Sequence, residues 1–365
     1  MSNKKLKPGN IAVLIASILL PLAATDLLLK ALQLPRSSSR TMLLSGGHLF
    51  TGREGYRRYE NDKNLEQSAV YGSSIAYRYS YNSNNLGLIS WPKIGSQDNI
   101  DLAIAGDSYA EGQGGLPWIQ QWQQQTLKPA GVLSINYAIA GSGFEDFAVA
   151  ARDARQRHRA RRLLVLLIEH DAYRPYQTMA SNGQCSFYSN GALDHLPAPL
   201  VCSLYGVVWH HVAPGLSDQQ LIVESRKRQN YGVLPALNQL LQQLQRPPRN
   251  SQAQPQASPT GLRFGPLPPA ALAAMQRIKD LYGPANVLLV QLPDQAGPQT
   301  SASFAQALAS SSGLTVRNLA ATCPLKREQF HRLDNHPNSS GYRRLQQCIT
   351  TDPVIRRFVL PQPQP

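Results

Sequence analysis

The sequence predicts an α/β protein in which a parallel sheet lies between two layers of helices, a three-layer α/β/α sandwich. Continuous apolar runs occur at residues 99–105, 132–139 and 163–168, and helix-like segments lie between them. Strands that are buried on both faces have such continuous runs, and parallel strands need helical crossovers. Two later runs, at residues 286–292 and 314–316, extend the same sheet.

The helices that cover this sheet are predicted from apolar residues that recur with a helical period. Most of them follow a strand, as a crossover connection requires. The predicted helices cover residues 116–127, 145–161, 270–281 and 303–311, and a terminal helix begins near Ser339.

The chain divides into four predicted parts. Residues 1–35 form a basic tip and a signal anchor, residues 36–98 form a Tyr-rich lead-in packed on the main domain, residues 99–350 form the main domain, and residues 351–365 form a Pro-rich tail. Within the main domain the periodicity fades over residues 175–268, where one stretch is rich in Pro, Gln and Ser. This part is therefore predicted to be an irregular insertion.

The N-terminus is predicted to be a signal anchor. Residues 11–34 are mostly apolar and follow a basic cluster of Lys4, Lys5 and Lys7, the pattern of an export signal or a membrane-spanning helix. The positive-inside rule keeps the lysines in the cytoplasm, so the remainder is expected in the periplasm of a bacterium, held to the inner membrane by one helix. A cleavage site is poorly marked, which favours an uncleaved anchor, and the alternative is a cleaved signal peptide and a secreted protein.

All four cysteines lie on the predicted exported side, where disulfides form. Nearest-neighbour pairing, Cys185 with Cys202 and Cys323 with Cys348, closes two short loops and is the pairing expected. Two other pairings exist, and four free thiols are the alternative. No C-x-x-C or paired His spacing accompanies the cysteines, so no metal site is predicted.

The formal net charge is +14, and the densest basic stretch is residues 152–162. Such a stretch can bind nucleic acid. Predicted export argues against a nucleic-acid partner and favours anionic lipid head groups or an acidic polysaccharide, although a merely solvated helix face also explains the pattern.

The first candidate for chemistry is the turn Gly106-Asp107-Ser108, directly after the first predicted strand of the sheet. A serine in such a turn can expose its hydroxyl as a nucleophile and direct its own N–H at a developing oxyanion. Gly, Asp and Ser are also ordinary turn and helix-cap residues, and this is the structural alternative.

The second candidate lies far downstream, in the run from Asp334 to Gly341. A serine nucleophile needs a base to accept its proton and a carboxylate to orient that base, and His336 and Asp334 have this chemistry. The alternative is a helix N-terminus built from turn residues. His331 is a second candidate base, but it lacks the Pro-Asn pair that follows His336.

Together these motifs resemble the SGNH/GDSL hydrolase superfamily, and in particular its membrane-anchored bacterial branch. The matching residues are Ser108 in the Gly-Asp-Ser block, Gly141 in the second block, and Asp334 with His336 near the C-terminus. The resemblance spans about residues 78–350 without the insertion. It implies a flavodoxin-like fold, the Ser108, His336 and Asp334 triad, and oxyanion donors at Ser108 and Gly141.

The third block departs from the family pattern. Where the family has Gly-x-Asn-Asp, this chain has Ile168-Glu169-His170-Asp171. A neutral His170 can donate one ring N–H to an oxyanion, act elsewhere in the site, or be a structural residue at the strand end. Arg174 follows closely and could hold an anionic group or form a surface salt bridge. Asp107, Asp171 and Arg174 are the candidate substrate-binding residues.

The predicted function is that of an extracytoplasmic serine esterase or O-acyltransferase. The resemblance suggests as substrate a small ester, or an ester of a cell-envelope or exopolysaccharide glycan, with no cofactor. Its expected partners are the inner membrane and envelope assembly proteins. The alternative is a catalytically silent scaffold that binds polysaccharide or docks in an envelope assembly, because the third block is altered and the insertion is large.

Overall fold

A computed structural model describes residues 17, 20–28, 40–52, 55–95, 98–174, 177–179, 185–188, 207–228, 265–295 and 298–360. The predicted anchor falls mainly outside these residues, apart from residue 17 and a short helix α1 over residues 20–28. Within the described ranges, none of the helices combines the length and the apolar character that a membrane span requires.

The main domain contains the expected parallel sheet of five strands. The order across the sheet is β13-β12-β8-β6-β7, and every neighbouring pair is parallel. The strands are β6 (Leu102–Gly106), β7 (Ser134–Asn136), β8 (Arg162–Leu167), β12 (Val287–Gln291) and β13 (Thr315–Asn318). Each lies within one of the predicted apolar runs or within two residues of it, because a strand covered on both faces has no polar face to interrupt the run.

Helices cover both faces of this sheet, as the three-layer class requires. On one face α4 (Phe144–Arg157), α6 (Pro269–Tyr282) and α7 (Pro298–Ser312) share a buried cluster with residues such as Val165 and Leu289. The other face is covered by five helices, which are α2 (Ser108–Glu111), α3 (Trp118–Trp122), α8 (Leu319–Thr322), α9 (Ser339–Thr351) and α10 (Pro353–Val359). A π-helical turn, Gln123–Leu127, continues α3.

A second sheet comes from the parts of the chain where no regular structure was predicted. Its order is β5-β4-β1-β11-β10-β9, and within it only the β1–β11 pair is parallel. The lead-in supplies β1 (Arg40–Ser45), β4 (Asn64–Tyr71) and β5 (Ser74–Asn82), and also a hairpin of β2 (Leu49–Thr51) and β3 (Arg57–Tyr59). The predicted insertion supplies β9 (Gln177–Met179), β10 (Cys185–Tyr188), β11 (Val207–His211) and helix α5 (Asp218–Arg228).

Two further expectations meet the structure near the C-terminus. The tail predicted over residues 351–365 contains helix α10, whose Ile355 and Val359 are buried. Cys323 and Cys348 form a disulfide, as nearest-neighbour pairing predicts. The other predicted pair, Cys185 with Cys202, is not described because Cys202 lies outside the described residues.

Candidate active site

Ser108 is the first residue of α2, directly after β6. Asp107 caps this short helix, because its Oδ1 accepts a hydrogen bond from the Tyr109 N–H (2.8 Å). The preceding Gly106 lies where a Cβ would come within 2.4 Å of the Ala110 Cβ and 2.8 Å of the Leu166 carbonyl oxygen. The turn therefore needs glycine at this position, and it holds Ser108 at the carboxyl end of a central strand.

His336 and Asp334 lie on the loop that leads into α9. Asn338 caps that helix by accepting hydrogen bonds from the N–H groups of Ser340 (2.9 Å) and Gly341 (3.2 Å). Within the loop, the His336 N–H donates to Asp334 Oδ1 (3.1 Å). The cap and this hydrogen bond fix the position of the His336 backbone.

The two distant segments meet in one hydrogen-bonded chain. His336 Nε2 lies 2.8 Å from Ser108 Oγ, and His336 Nδ1 is hydrogen-bonded to Asp334 Oδ1. With the proton of the neutral ring on Nδ1, Nε2 is free to accept the serine proton. These are the three residues and the order of contacts that the sequence predicts for an activated serine nucleophile.

Asp334 also has a partner that the sequence reasoning missed. The hydroxyl of Tyr71, at the end of β4, donates to Asp334 Oδ2 (2.9 Å). Asp334 is 6% exposed, so its two oxygens are satisfied mainly by protein donors. The only sequence signal for such a residue was the abundance of tyrosine in the lead-in.

The loop after β7 places Gly141 beside the nucleophile turn. The Ile139 N–H donates to the Gly106 carbonyl (3.2 Å), so the loop starts at the end of β6. Gly141 has a φ of +81°, which is costly for a residue with a side chain. Within the described ranges, the N–H groups of Ser108 and Gly141 donate no hydrogen bond to a backbone carbonyl. An oxyanion role for them stays a prediction.

Two arginines hold this loop, and only one of them was predicted to lie near the site. Arg57 Nη1 donates to the Ala140 carbonyl (2.6 Å) and Nη2 to Ser142 Oγ (3.2 Å). Arg174 Nη1 donates to the Ser142 carbonyl (3.1 Å). No motif in the sequence points to Arg57, because its contact depends on how the lead-in packs.

The three candidate substrate-binding residues form one cluster, in which Arg174 contacts both carboxylates. Arg174 Nη1 contacts Asp107 Oδ2 (3.0 Å) and Asp171 Oδ1 (2.6 Å), and both carboxylates are fully buried. Burial raises the pKa of Asp171, the neighbouring Asp107 raises it further, and Arg174 opposes both effects. This cluster joins the first and third blocks inside the protein, and a substrate-binding role for its three residues stays a prediction.

The two remaining candidate histidines have different surroundings. His170 lies in the 3-10 turn Glu169–Tyr173 after β8 and has an exposed side chain. It takes no part in the hydrogen bonds between Ser108, His336 and Asp334, and an oxyanion role for it stays a prediction. His331 Nε2 contacts the Gly114 carbonyl (2.8 Å), and burial lowers the pKa of His331.

Two aromatic rings lie beside His336. The rings of Tyr109 and His336 lie 5.5 Å apart, and those of Tyr77 and His336 lie 6.2 Å apart. The Tyr109 hydroxyl also donates to the Asn335 carbonyl (2.6 Å), which ties α2 to the histidine loop. In the described part of the chain, no group of three or more His, Cys, Asp or Glu residues could hold a metal ion.

Comparisons with known proteins give remote structural likeness only. No family model and no curated protein matches the sequence. Similar solved structures include a lipase/acylhydrolase from Enterococcus faecalis (13% identity, TM-score 0.35, 73% of this chain and 100% of that chain). Others are an esterase from Pseudoalteromonas sp. (12%, 0.33, 69% and 94%) and a GDSL-like lipase from Bacteroides thetaiotaomicron (12%, 0.31, 70% and 87%). The function is therefore inferred from the geometry of the site.

Proposed function

We propose that this chain is a serine esterase or O-acyltransferase of the SGNH/GDSL type, with Ser108 as its nucleophile. The observation that carries this proposal is the hydrogen-bonded chain from Ser108 through His336 to Asp334. A serine hydroxyl is a weak nucleophile unless a base accepts its proton. A histidine whose other nitrogen is bonded to a buried carboxylate supplies that base.

The reaction follows from these contacts. Ser108 Oγ attacks the ester carbonyl while His336 Nε2 takes the serine proton, and the N–H groups of Ser108 and Gly141 stabilise the oxyanion. The tetrahedral intermediate collapses, the ester C–O bond breaks, and His336 returns its proton to the leaving alcohol. A second hydroxyl, from water or from a sugar, then releases the acyl group by the same steps in reverse order. Water makes the protein an esterase, and a sugar hydroxyl makes it an O-acyltransferase.

We also propose an acyl ester of an envelope or exopolysaccharide glycan as the substrate, and a periplasmic site held to the inner membrane. The basic cluster and the apolar residues 11–34 support this location, because that pattern directs export. Export would also allow the Cys323–Cys348 disulfide to form. The location predicts that the disulfide forms in the full-length chain in its bacterial host and not in a chain that lacks residues 1–35.

A fluorophosphonate probe tests the nucleophile. We expect labelling of the wild-type protein at Ser108 and its loss in Ser108→Ala, while Ser311→Ala, which removes an exposed hydroxyl on α7, should label normally. His336→Ala should lower kcat/KM for an acetate ester by about 10³-fold or more, because the triad acts as a unit. His331→Ala should keep most of the rate.

Two outcomes and one further measurement separate the alternatives. Labelling that persists in Ser108→Ala would falsify the assignment of the nucleophile. A wild-type protein that neither reacts with the probe nor hydrolyses any ester, yet binds a glycan, would favour the silent scaffold that the altered third block suggests. Mass analysis of acetylated and unacetylated glycans after incubation with the protein separates hydrolysis from transfer, because only transfer moves the acyl group to a second sugar.

A further inference from the structure

We propose that Arg57 is a positioning residue for the oxyanion site, acting through the peptide group between Ala140 and Gly141. This inference rests on the proposed function and deepens it. It assigns to the lead-in, which lies outside every motif of the triad, a direct effect on the rate of acyl transfer.

Arg57 lies in β3 and is 1% exposed, so its charge is almost fully removed from water. A buried cation is costly unless its donors find good acceptors. Two of its nitrogens bond to the loop after β7, at the Ala140 carbonyl (2.6 Å) and at Ser142 Oγ (3.2 Å). The guanidinium therefore spans the residues on either side of Gly141.

The Ala140 carbonyl and the Gly141 N–H are the two ends of one planar peptide group. In a trans peptide they point in opposite directions, so an interaction that fixes the carbonyl also fixes the direction of the N–H. Gly141 has a left-handed φ of +81°, a conformation that only a few residue types adopt readily. Arg57 therefore anchors the carbonyl end of the peptide group whose other end is the Gly141 N–H.

A cation on the carbonyl also strengthens the N–H as a donor. Hydrogen bonds in a chain polarise one another, and a charged donor gives the larger effect at low dielectric. The Arg57 guanidinium thus places positive charge behind the group that must stabilise an oxyanion. This effect acts on the transition state, where the negative charge develops, more than on the neutral ester.

The neighbouring residues keep the loop from shifting to escape this contact. Before Gly141, the Ile139 N–H donates to the Gly106 carbonyl (3.2 Å). The Glu111 carboxylate, which accepts the Tyr59 hydroxyl, interacts with the Ala140 backbone. On the other side, Arg174 donates to the Ser142 carbonyl. The loop is thus bound before and after Gly141, and Arg57 is the residue bonded to the carbonyl of the critical peptide itself.

The test compares Arg57→Met and Arg57→Lys with a matched control, Arg58→Met. Arg58 is the next residue of β3 and lies over the Phe50 ring, so the control makes the same change in the same hairpin. We expect Arg57→Met to lower kcat about 10- to 100-fold with little change in KM, which is at or below the effect of losing one oxyanion donor. Arg57→Lys, which keeps the charge, should recover part of the rate.

A boronic acid that forms a tetrahedral adduct with Ser108 supplies a second measurement. In Arg57→Met its affinity should fall in parallel with kcat/KM, while a planar ester analogue should bind as it does to the wild type. Circular dichroism and titration of active sites with the fluorophosphonate probe show how much of each variant is folded, so the rates refer to folded sites only.

Two results would overturn the inference and point to different causes. The first result is that Arg57→Met keeps the wild-type kcat per active site, or that kcat and the affinities for the boronic acid and the planar ester analogue fall equally in Arg57→Met and Arg58→Met. In either case Arg57 has only a structural role, and the proposed function stands. If Ser108 of the wild-type protein reacts with neither the probe nor the boronic acid, the proposed function itself fails and the inference fails with it.

Discussion

At the scale of single residues, the carboxylate of Asp334 is held from two sides. Its Oδ1 binds the ring and the backbone N–H of His336, and its Oδ2 accepts the Tyr71 hydroxyl. A carboxylate with both oxygens bonded cannot rotate away from the histidine. The orientation of His336 therefore depends on Tyr71, which lies 263 positions before Asp334 in the chain.

Tyr71→Phe tests this dependence. It removes one hydrogen bond to a charged acceptor, worth about 1.5–3 kcal/mol, and we expect kcat/KM to fall roughly 10-fold because the change acts on the orientation of His336. Steady-state ester hydrolysis measures the change. The control is Tyr282→Phe, which removes a buried hydroxyl bond to the Ala151 carbonyl (3.1 Å) between α6 and α4. Equal rates in the two variants would show that Asp334 does not need Tyr71.

The proposed catalytic residues were predictable because they occupy local motifs, whereas the residues that hold them in place were not. Ser108 follows a buried strand, and His336 and Asp334 precede a capped helix, so short stretches of sequence identify them. Arg57 and Tyr71 have no motif around them. Their contacts exist only because the lead-in folds onto the main domain, and a single sequence contains no direct record of that packing.

At the scale of elements, α2, β3 and the loop after β7 meet around a buried acid. Glu111 ends α2, accepts the Tyr59 hydroxyl from β3, and is fully buried. Burial raises its pKa to about 7, although Tyr59, the Ala140 N–H and Arg57 favour the charged form. The junction is therefore sensitive to pH on the acid side of neutrality.

Glu111→Gln should make this sensitivity visible. Below pH 4.5 the carboxyl is protonated in both states, and between pH 4.5 and about 7 the unfolded chain loses the proton first. The folded state then holds more protons, so rising pH lowers the free energy of unfolding, by about 3 kcal/mol in total, and the effect levels off above pH 7.

Urea unfolding at pH 5 and pH 8 measures this effect. Glutamine cannot titrate, so the stability of Glu111→Gln relative to the wild type should increase from pH 5 to pH 8. The control Glu328→Gln, at an exposed side chain, should show no such trend. A constant difference between Glu111→Gln and the wild type at both pH values would contradict the raised pKa.

The strands of the two sheets differed in how well they could be predicted. The five parallel strands are uniform apolar runs, and each was located to within a few residues. In β5 the buried positions alternate with solvent-facing ones and are filled by Tyr77, Tyr79 and Tyr81. Tyrosine carries a hydroxyl group and was not counted as apolar, so the alternation of apolar and polar residues in β5 was not recognised. The pairing of β1 with β11 joins residues more than 160 positions apart and leaves no local signal.

At the scale of the whole molecule, the lead-in and the predicted insertion form one structural unit. Ile139 and Ala140 belong to the loop that carries Gly141, and they share a buried cluster with ten lead-in residues. Met42, Leu65 and Tyr81 are among those ten. The second sheet therefore packs on the loop that completes the site. The division into lead-in, main domain and insertion describes the sequence, while the site uses residues from the lead-in and the main domain together.

The Cys323–Cys348 disulfide also holds part of the candidate site, and whether it forms depends on the redox conditions of the compartment. It closes a segment with a sequence separation of 25 that contains Asp334 and His336. A cross-link of this span stabilises a protein by about 3.5 kcal/mol, chiefly by restricting the unfolded chain. We expect the double variant Cys323→Ala/Cys348→Ala to lose about 3 kcal/mol of unfolding free energy in urea, and the folded fraction to keep its kcat, because the Asn338 cap still holds the histidine loop.

The redox state of these cysteines also tests the proposed location. Alkylation of the bacterial host cells before lysis traps free thiols. In the full-length chain, we expect no alkylation at Cys323 and Cys348. Both should be alkylated in a chain that lacks residues 1–35, whose cysteines then remain in a reducing compartment. The chain that lacks residues 1–35 should unfold at the same, lower urea concentration as the double variant Cys323→Ala/Cys348→Ala. Oxidation in vitro should then raise this concentration to that of the full-length chain. Alkylated thiols in the full-length protein would contradict export, and they would leave the triad assignment unaffected.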